Sequence, residues 1–249
     1  MITVITGSIL VLLFTTVLTI AGVGSAFIIV PTFYWLGIPL KEAMAVALLL
    51  NAFSMTFASA TYIRRKLVVF RTAIPIIVLA VIFSPLGAYS TRFFPEKMLL
   101  AIFIAFLVFA GSMMLFYRPK RRVSLESSKN ELTSGIATGT FAGYLGGLLG
   151  VGGGNFIVPA LVWLGFDPKK ASGTTAFIVI FSSLSGFFGH AATSHVNLTL
   201  LSVSAIGSVA GGLIGSWLMT QKLQSNHVKT VIGIVLYAVA IKMAWGIIF

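Results

Sequence analysis

The chain repeats its own sequence at a fixed offset, so that position 22 corresponds to position 150. Half of the positions between 22 and 43 are identical to their counterparts between 150 and 171, including a GVG motif, an IVP segment and a WLG segment. The same offset pairs Gly7 with Gly135 and Gly87 with Gly215, so the duplication extends through most of the chain. Two homologous halves predict two copies of one structural unit that pack against each other.

The composition indicates that both halves fold in lipid. The mean hydropathy is +1.05, 58% of the residues are hydrophobic and only 9% are charged. Each of the stretches without Asp, Glu, Lys or Arg reaches the roughly 20 residues that a bilayer-spanning helix needs; they are 1–40, 43–63, 72–91, 98–117, 132–166 and 171–221. The chain lacks the period-two alternation of a membrane β-barrel, so we predict an all-α integral membrane protein.

The charged clusters divide this protein into two transmembrane repeats. Segment 118–131, which is basic and rich in serine, is predicted to be a cytoplasmic linker between a first repeat, 1–117, and a second repeat, 132–249. Stretch 171–221 is long enough to fold back on itself, and the polar residues 190–197 mark the turn. Each repeat therefore contains four or five transmembrane segments.

Stretches 1–40 and 132–166 are too long for one crossing and short for two, at about 1.5 Å of rise per helical residue. Each contains glycines and a proline, so we predict broken or re-entrant helices at 22–38 and 150–166, with Pro31 and Pro159 as helix breaks. If these segments cross fully, each repeat has five passes and the repeats are inverted. If they do not, each has four passes and the repeats are parallel.

Loop charge favours the inverted arrangement. With the linker in the cytoplasm, inversion places 13 Lys and Arg residues inside and 3 outside, leaving aside Lys242 in the last span. The parallel arrangement places 9 inside and 7 outside. Cytoplasmic loops of membrane proteins carry an excess of Lys and Arg, so we favour inverted repeats.

The glycine clusters are the candidate solute site. Consecutive glycines are unfavourable within a helix but suit an unwound stretch whose amides approach a ligand. A short helix that starts there directs its free N–H groups and positive dipole end at that point, which suits an anion. The predicted binding residues are Gly22, Gly24, Ser25, Asn51, Gly150, Gly152, Gly153, Gly154, Asn155, Thr174 and Thr175. For the two threonines, ordinary hydrogen bonding between helices remains an alternative. Gly87, Gly211, Gly212 and Gly215 are interpreted as helix-packing residues.

The sequence lacks the residues that several functional classes need. All five acidic residues lie in loops or at span ends, so no carboxylate is available within the spans for proton or sodium coupling. We therefore predict no catalytic residue, no metal ligand and no cofactor, and we do not expect an enzyme. Proton coupling would depend on His190, on His195 or on protonation of the solute itself, and the two histidines are interpreted as interfacial residues. The net charge of +12 comes mainly from residues next to spans, so nucleic acid is not an expected partner.

The segments GVGSAFIIVP and GVGGGNFIVPALVWLG, the following KKASGTT and the basic central loop resemble the sulfite exporter TauE/SafE family. The resemblance implies a secondary transporter in the cytoplasmic membrane of a prokaryote that moves sulfite, a sulfonate or a related organosulfur anion. Members of this family are usually described as eight-spanning, which conflicts with the inversion that loop charge favours.

Together these observations predict a secondary transporter, either an exporter or a permease, that works by alternating access at a midplane site between the repeats. Its partners are a small anionic solute and the lipid bilayer, and the sequence leaves open whether it forms a homo-oligomer. The alternative is an anion channel, or a carrier of an unrelated small anion, built on the same repeats.

Overall fold

The computed structural model describes residues 2–116, 128–192 and 198–248. Within these ranges the chain is helical and contains no strand. The helices are α1 (Ile2–Ala21), α2 (Ala26–Trp35), α3 (Leu40–Arg64), α4 (Phe70–Ser90), α5 (Glu96–Phe116), α6 (Ser128–Leu148), α7 (Gly154–Trp163), α8 (Pro168–Ala191), α9 (Leu198–Gln221) and α10 (Ser225–Ile248). A 3-10 turn, Thr91–Phe93, follows α4.

Four of the described helices are long and apolar enough to cross a membrane. They are α3, α4 with its 3-10 turn, α8 and α9. Shorter apolar stretches lie in α1, α2, α5, α7 and α10. The outward sides of these helices carry large apolar side chains, such as Ile82, Ile206 and Ile241, as expected for contact with lipid. The protein is therefore an all-α membrane protein with several spans, as predicted.

The offset between the two halves is visible in the helices. The short helices α2 and α7 have the same length and start at Ala26 and Gly154, which are equivalent positions of the two repeats. α1 packs along α9 and α6 packs along α4, so the first helix of each half contacts the fourth helix of the other half. In the centre α3 packs on α8, and α5 packs on α10.

Small residues let these helices approach closely. On α6, Gly139, Gly143 and Gly147 are spaced four apart on one face and lie against the backbone of α4. On α9, Gly207, Gly211 and Gly215 lie in the same way against α1. Membrane helices associate through such small-residue faces, because lipid supplies little hydrophobic force between them. The packing interpretation of the α9 glycines agrees with these contacts.

Three pairs of corresponding helices, α1 and α6, α3 and α8, and α4 and α9, run in opposite directions. α3 and α8 are antiparallel, since Leu48 of α3 contacts Gly186 whereas Leu67, just after α3, contacts Gly173. α1, α3 and α9 run parallel, as the contacts of α9 with its two neighbours show; they include Gly207 with Ser8, Gly215 with Thr16, Ser208 with Leu50 and Ser216 with Thr61. α4, α6 and α8 run parallel to one another by the same criterion, with Gly139 against Ile76, Gly147 against Ser84, Ser185 against Val81 and Gly189 against Pro85.

Several boundaries differ from those predicted. α6 begins at Ser128, inside the predicted linker, so polar residues at the end of that segment form its first turn. α8 begins at Pro168, where Asp167 caps the helix by accepting hydrogen bonds from the N–H groups of Lys169 and Lys170. α8 also continues through Ala191, beyond the predicted start of the polar turn. Residues 117–127, which form most of the linker, and residues 193–197, which include His195, lie outside the described residues.

The α4–α6 contact yields a matched test of close packing. A methyl group at Gly143 would lie 2.6 Å from Ala80 Cα, whereas one at Gly135 on the same helix would lie 3.4 Å from Pro75 Cβ. We expect Gly143→Ala to lower the free energy of unfolding by about 1–3 kcal/mol through overpacking. Gly135→Ala is expected to be neutral or stabilising, because alanine favours helix. Thermal unfolding of both variants in detergent checks this, and equal melting temperatures would contradict the contact.

Candidate functional site

Both glycine clusters interrupt a helix, as predicted. α1 ends at Ala21 and α2 begins at Ala26, and α6 ends at Leu148 while α7 begins at Gly154. The backbone is left-handed between them, with φ of 71°, 81°, 68°, 73° and 79° at Gly22, Gly24, Gly150, Gly152 and Gly153. Glycine adopts this conformation at little cost, whereas other residues are strained by it. The glycines therefore let the chain leave one helix and start the next within a few residues.

The prolines are not the helix breaks that the sequence predicts. Pro31 lies inside α2 and Pro159 lies inside α7. Proline has a helical φ, so a short helix can contain it at the loss of one N–H···O bond, here to the carbonyl group of Phe27 or Asn155. A residue with positive φ, in contrast, cannot belong to a right-handed helix. The glycines, and not the prolines, therefore end α1 and α6.

The two breaks lie against each other in the protein interior. A side chain at Gly154 would contact the carbonyl oxygen of Val23, and residues 22–27 and 150–159 are all buried. Asn51, near the middle of the long helix α3, lies beside both breaks. The N-terminal ends of the short helices α2 and α7 therefore meet near mid-depth in the helix bundle.

Asn51 joins the first break to the second repeat. Its Oδ1 accepts a hydrogen bond of 2.8 Å from the N–H of Ser25, and its Nδ2 donates one of 2.9 Å to Ser183 Oγ on α8. Ser182 Oγ in turn donates a bond of 2.6 Å to the carbonyl oxygen of Gly152. The predicted binding residue Asn51 thus has both of its polar atoms engaged, and it orients the breaks.

The amides at the start of each short helix remain available. Within the described residues, no acceptor pairs with the backbone N–H groups of Val23, Gly24, Ala26, Phe27, Gly153, Gly154 and Asn155. The first N–H groups of any helix lack a partner inside that helix. Here two such groups of donors are brought together in a buried place, where an unpaired N–H is costly.

Three predicted side chains add further unpaired polar atoms. Ser25 Oγ, both side-chain polar atoms of Asn155, and Thr175 Oγ1 have no hydrogen-bond partner among the described residues, and all three side chains are 0% exposed. Ser25 is the residue before α2 and Asn155 is the second residue of α7. Thr175 lies on α8 between Ser172, which contacts Gly22, and Val179, which contacts Gly154. Buried polar groups are nearly always paired, so this cluster indicates a place for a polar guest.

Thr174 and His190 do not join this cluster. Thr174 Oγ1 accepts a hydrogen bond of 3.0 Å from the N–H of Val69, the residue before α4. His190 is 1% exposed, so its side chain is buried between helices, and its Nε2 lies 2.8 Å from the carbonyl oxygen of Gly147. Because a carbonyl group can only accept, Nε2 carries the proton of this bond. His190 therefore holds the last turn of α6.

His190 has a counterpart in the first repeat that no sequence motif marks. Tyr62 occupies the equivalent position of the first repeat, and its hydroxyl donates a hydrogen bond of 2.6 Å to the carbonyl oxygen of Thr19, which is the equivalent of Gly147. Both broken helices are thus held by a side-chain donor at the same repeat position. The repeat offset places Tyr62 opposite His190, and this was the available signal. It is easily overlooked, because tyrosine and histidine are different residue types.

The two breaks are closed in this structure. A cavity of about 40 Å³ between α2, α3, α5 and α10 reaches Met44 and Leu149, and Met44 packs on Gly150. A larger groove of about 380 Å³ lies on the outer side of α1, α2 and α10 and includes Thr32 and Lys242. The glycine clusters line neither of these two spaces, and residues 22–25 and 150–154 are all buried, so the structure describes a state in which the site is shut off.

Comparison with known proteins identifies the family of this chain. The family model described as "Sulfite exporter TauE/SafE" matches residues 8–243. The chain belongs to the sulfite exporter TauE/SafE family. It is 27% identical to "Probable membrane transporter protein YunE" of Bacillus subtilis (strain 168), over 94% of each chain. It is also 30% identical to "Sulfite exporter TauE/SafE family protein 2" of Arabidopsis thaliana, over 43% of this chain and 23% of the plant protein.

This TauE/SafE protein is also similar to an archaeal protein. "Probable membrane transporter protein MJ0441" of Methanocaldococcus jannaschii is 33% identical over 44% of this chain and 43% of that protein. No solved structure matches. The family and its relatives are membrane transporters and not enzymes, as the sequence predicts. The chain is therefore a multi-pass membrane transporter.

The hydrogen bonds that Tyr62 and His190 donate in this TauE/SafE protein can be tested by measuring the stability of variants. Tyr62→Phe removes the hydroxyl bond to the carbonyl oxygen of Thr19, which keeps its bond from the N–H of Gly22. We therefore expect the free energy of unfolding to fall by about 0.5–1.5 kcal/mol. His190→Leu removes the equivalent donor and should act in the same direction. Tyr89→Phe is the control, because Tyr89 is 50% exposed. Thermal unfolding in detergent measures all three, and a Tyr62→Phe variant as stable as Tyr89→Phe would contradict the assignment.

Proposed function

We propose that this protein is a secondary carrier of a small anion, either sulfite, a sulfonate or a related organosulfur anion. The observation that carries the proposal is the cluster of fully buried polar atoms on Ser25, Asn155 and Thr175, beside two sets of backbone N–H groups, none of which has a partner within the described ranges. An oxyanion presents several acceptor oxygens and can satisfy many of these donors at once. The family name points to the same class of solute.

The electrostatics of the breaks support an anion. α2 and α7 both begin at the cluster, and the N-terminal end of a helix carries a partial positive charge. Broken helices with their N-terminal ends directed at an anionic group occur at the midplane sites of other transporters. Asn51, Ser183 and Ser172 around the breaks are neutral, so no ion pair competes with the solute for these amides.

The helix directions support inverted repeats and alternating access. The three pairs of corresponding helices run in opposite directions, and the ends of α3 and α9 lie at the same end of the bundle as the starts of α4 and α8. This end carries Arg64, Arg65, Lys169 and Lys170, which we place in the cytoplasm. We infer a prokaryotic cytoplasmic membrane, with Lys41 and Arg92 on the opposite face.

The carrier is favoured over the anion channel by the closure of the site. Met44 covers Gly150, and Ser172, which is the equivalent of Met44 in the second repeat, covers Gly22. A site closed by residues of both repeats fits a carrier that opens to one side at a time. A channel would conduct through a continuous path, and electrical recording would show unitary currents where a carrier shows slow, saturable flux.

Thr175→Val is the sharpest test of the site. Valine has the shape of threonine, and the lost hydroxyl has no partner among the described residues, so we expect unchanged stability. A hydrogen bond to a charged group contributes about 1.5–3 kcal/mol, so the apparent affinity for the anion should fall roughly tenfold or more. Uptake of radiolabelled sulfite and of methanesulfonate into proteoliposomes measures the change.

The matched control is Thr72→Val. Thr72 Oγ1 is also buried and has no partner in the part of the chain that the structure describes, but it lies in the first turn of α4, outside the breaks, so uptake should be unchanged. Substitution of the glycines is a poorer test, because Gly152 has φ of 73° and contacts Ser183, so any side chain there strains the backbone. Wild-type affinity in the Thr175→Val variant would refute the proposed site.

A further inference from the structure

The break site offers a limited amount of positive charge. Each of the helices α2 and α7 contributes about half an elementary charge at its N-terminal end, so the two together contribute about one. The side chains that contact the broken segments add none, since Asn51, Ser172, Ser183, Met44 and Val179 are all neutral. The unpaired groups of Ser25, Asn155 and Thr175 are also neutral.

We propose that this site selects singly charged oxyanions and rejects doubly charged ones. The inference rests on the proposed function and adds to it the charge of the solute. A monoanion is balanced by the two helix ends. The second charge of a dianion would enter a fully buried place without compensation, and burial of an unpaired charge is strongly unfavourable.

A site of this kind therefore distinguishes solutes that have the same shape but a different charge. Methanesulfonate and sulfate are both tetrahedral, and they differ by a methyl group in place of one charged oxygen. Sulfate offers more acceptor oxygens, so a site governed by the number of hydrogen bonds would prefer it. A site governed by charge prefers methanesulfonate. Sulfite is accepted in its hydrogensulfite form.

The experiment is competition for uptake into proteoliposomes that contain the full-length protein. Radiolabelled methanesulfonate and unlabelled methanesulfonate or sulfate are used at constant ionic strength, so that general salt effects on the protein are equal. We expect sulfate to inhibit at least roughly tenfold more weakly than methanesulfonate. Equal or stronger inhibition by sulfate would overturn the inference and leave the proposed function in place.

A second arm uses sulfite, whose charge changes with pH. As pH falls through the pKa of hydrogensulfite, the monoanion replaces the dianion, so the apparent affinity for total sulfite should rise. Methanesulfonate keeps its charge over this range and corrects for titration of the protein itself. A sulfite affinity that rises with pH relative to methanesulfonate would overturn the inference. If no anion is taken up and Thr175→Val behaves as wild type, the proposed function fails, and the charge selectivity fails with it.

Discussion

A helix that stops in the interior of a membrane protein leaves its last carbonyl groups without N–H partners, at a place where water cannot replace them. α1 and α6 both stop in this way. Side chains supply the missing donors, with Tyr62 and Ser172 bonded to the end of α1 and His190 and Thr91 bonded to the end of α6. The carbonyl groups of Ala21 and Leu148 depend on Ser172 and Thr91, since no backbone N–H pairs with them within the described residues. Those of Thr19 and Gly147 also accept bonds from the N–H groups of Gly22 and Gly150, so Tyr62 and His190 add a second donor there.

The backbone N–H groups at the start of each following helix mostly lack such side-chain partners. Only one amide of the first break, that of Ser25, receives a side-chain acceptor, and its neighbours in both breaks receive none within the described residues. Asn155 Oδ1 is an unpaired acceptor in the same place, and no donor pairs with the carbonyl oxygens of Val23 and Gly24 within the described residues. The breaks therefore bury unpaired groups of both kinds, and the partial positive charge of the two helix ends is what favours the proposed anion.

The sequence predicted the repeats, the position of both breaks and the three residues beside them that carry unpaired polar atoms, Ser25, Asn155 and Thr175, because glycine clusters and an internal offset are local signals. It could not separate Thr175 from Thr174, since adjacent helical residues differ by about 100° in direction and only packing decides which faces the break. It also missed Tyr62, whose partner Thr19 is 43 positions away in the chain. The sequence predicts a helix break at Pro31, whereas the neighbouring glycines form it. The two residue types give the same signal, because both disfavour helix interiors.

The sequence repeat is not the unit of packing. Glycine-lined contacts join α1 to α9 and α6 to α4 across the repeats, and the bonds of Tyr62, His190 and Thr91 each stay within one of these parallel groups, α1–α3–α9 or α4–α6–α8. Bonds from Asn51 to Ser183 and from Ser172 to Ala21 connect the groups instead. Opening the site by parting α3 from α8 would break these two bonds and keep the close glycine contacts. Separation of the repeats themselves would break those contacts as well, so the two parallel groups are the better moving bodies.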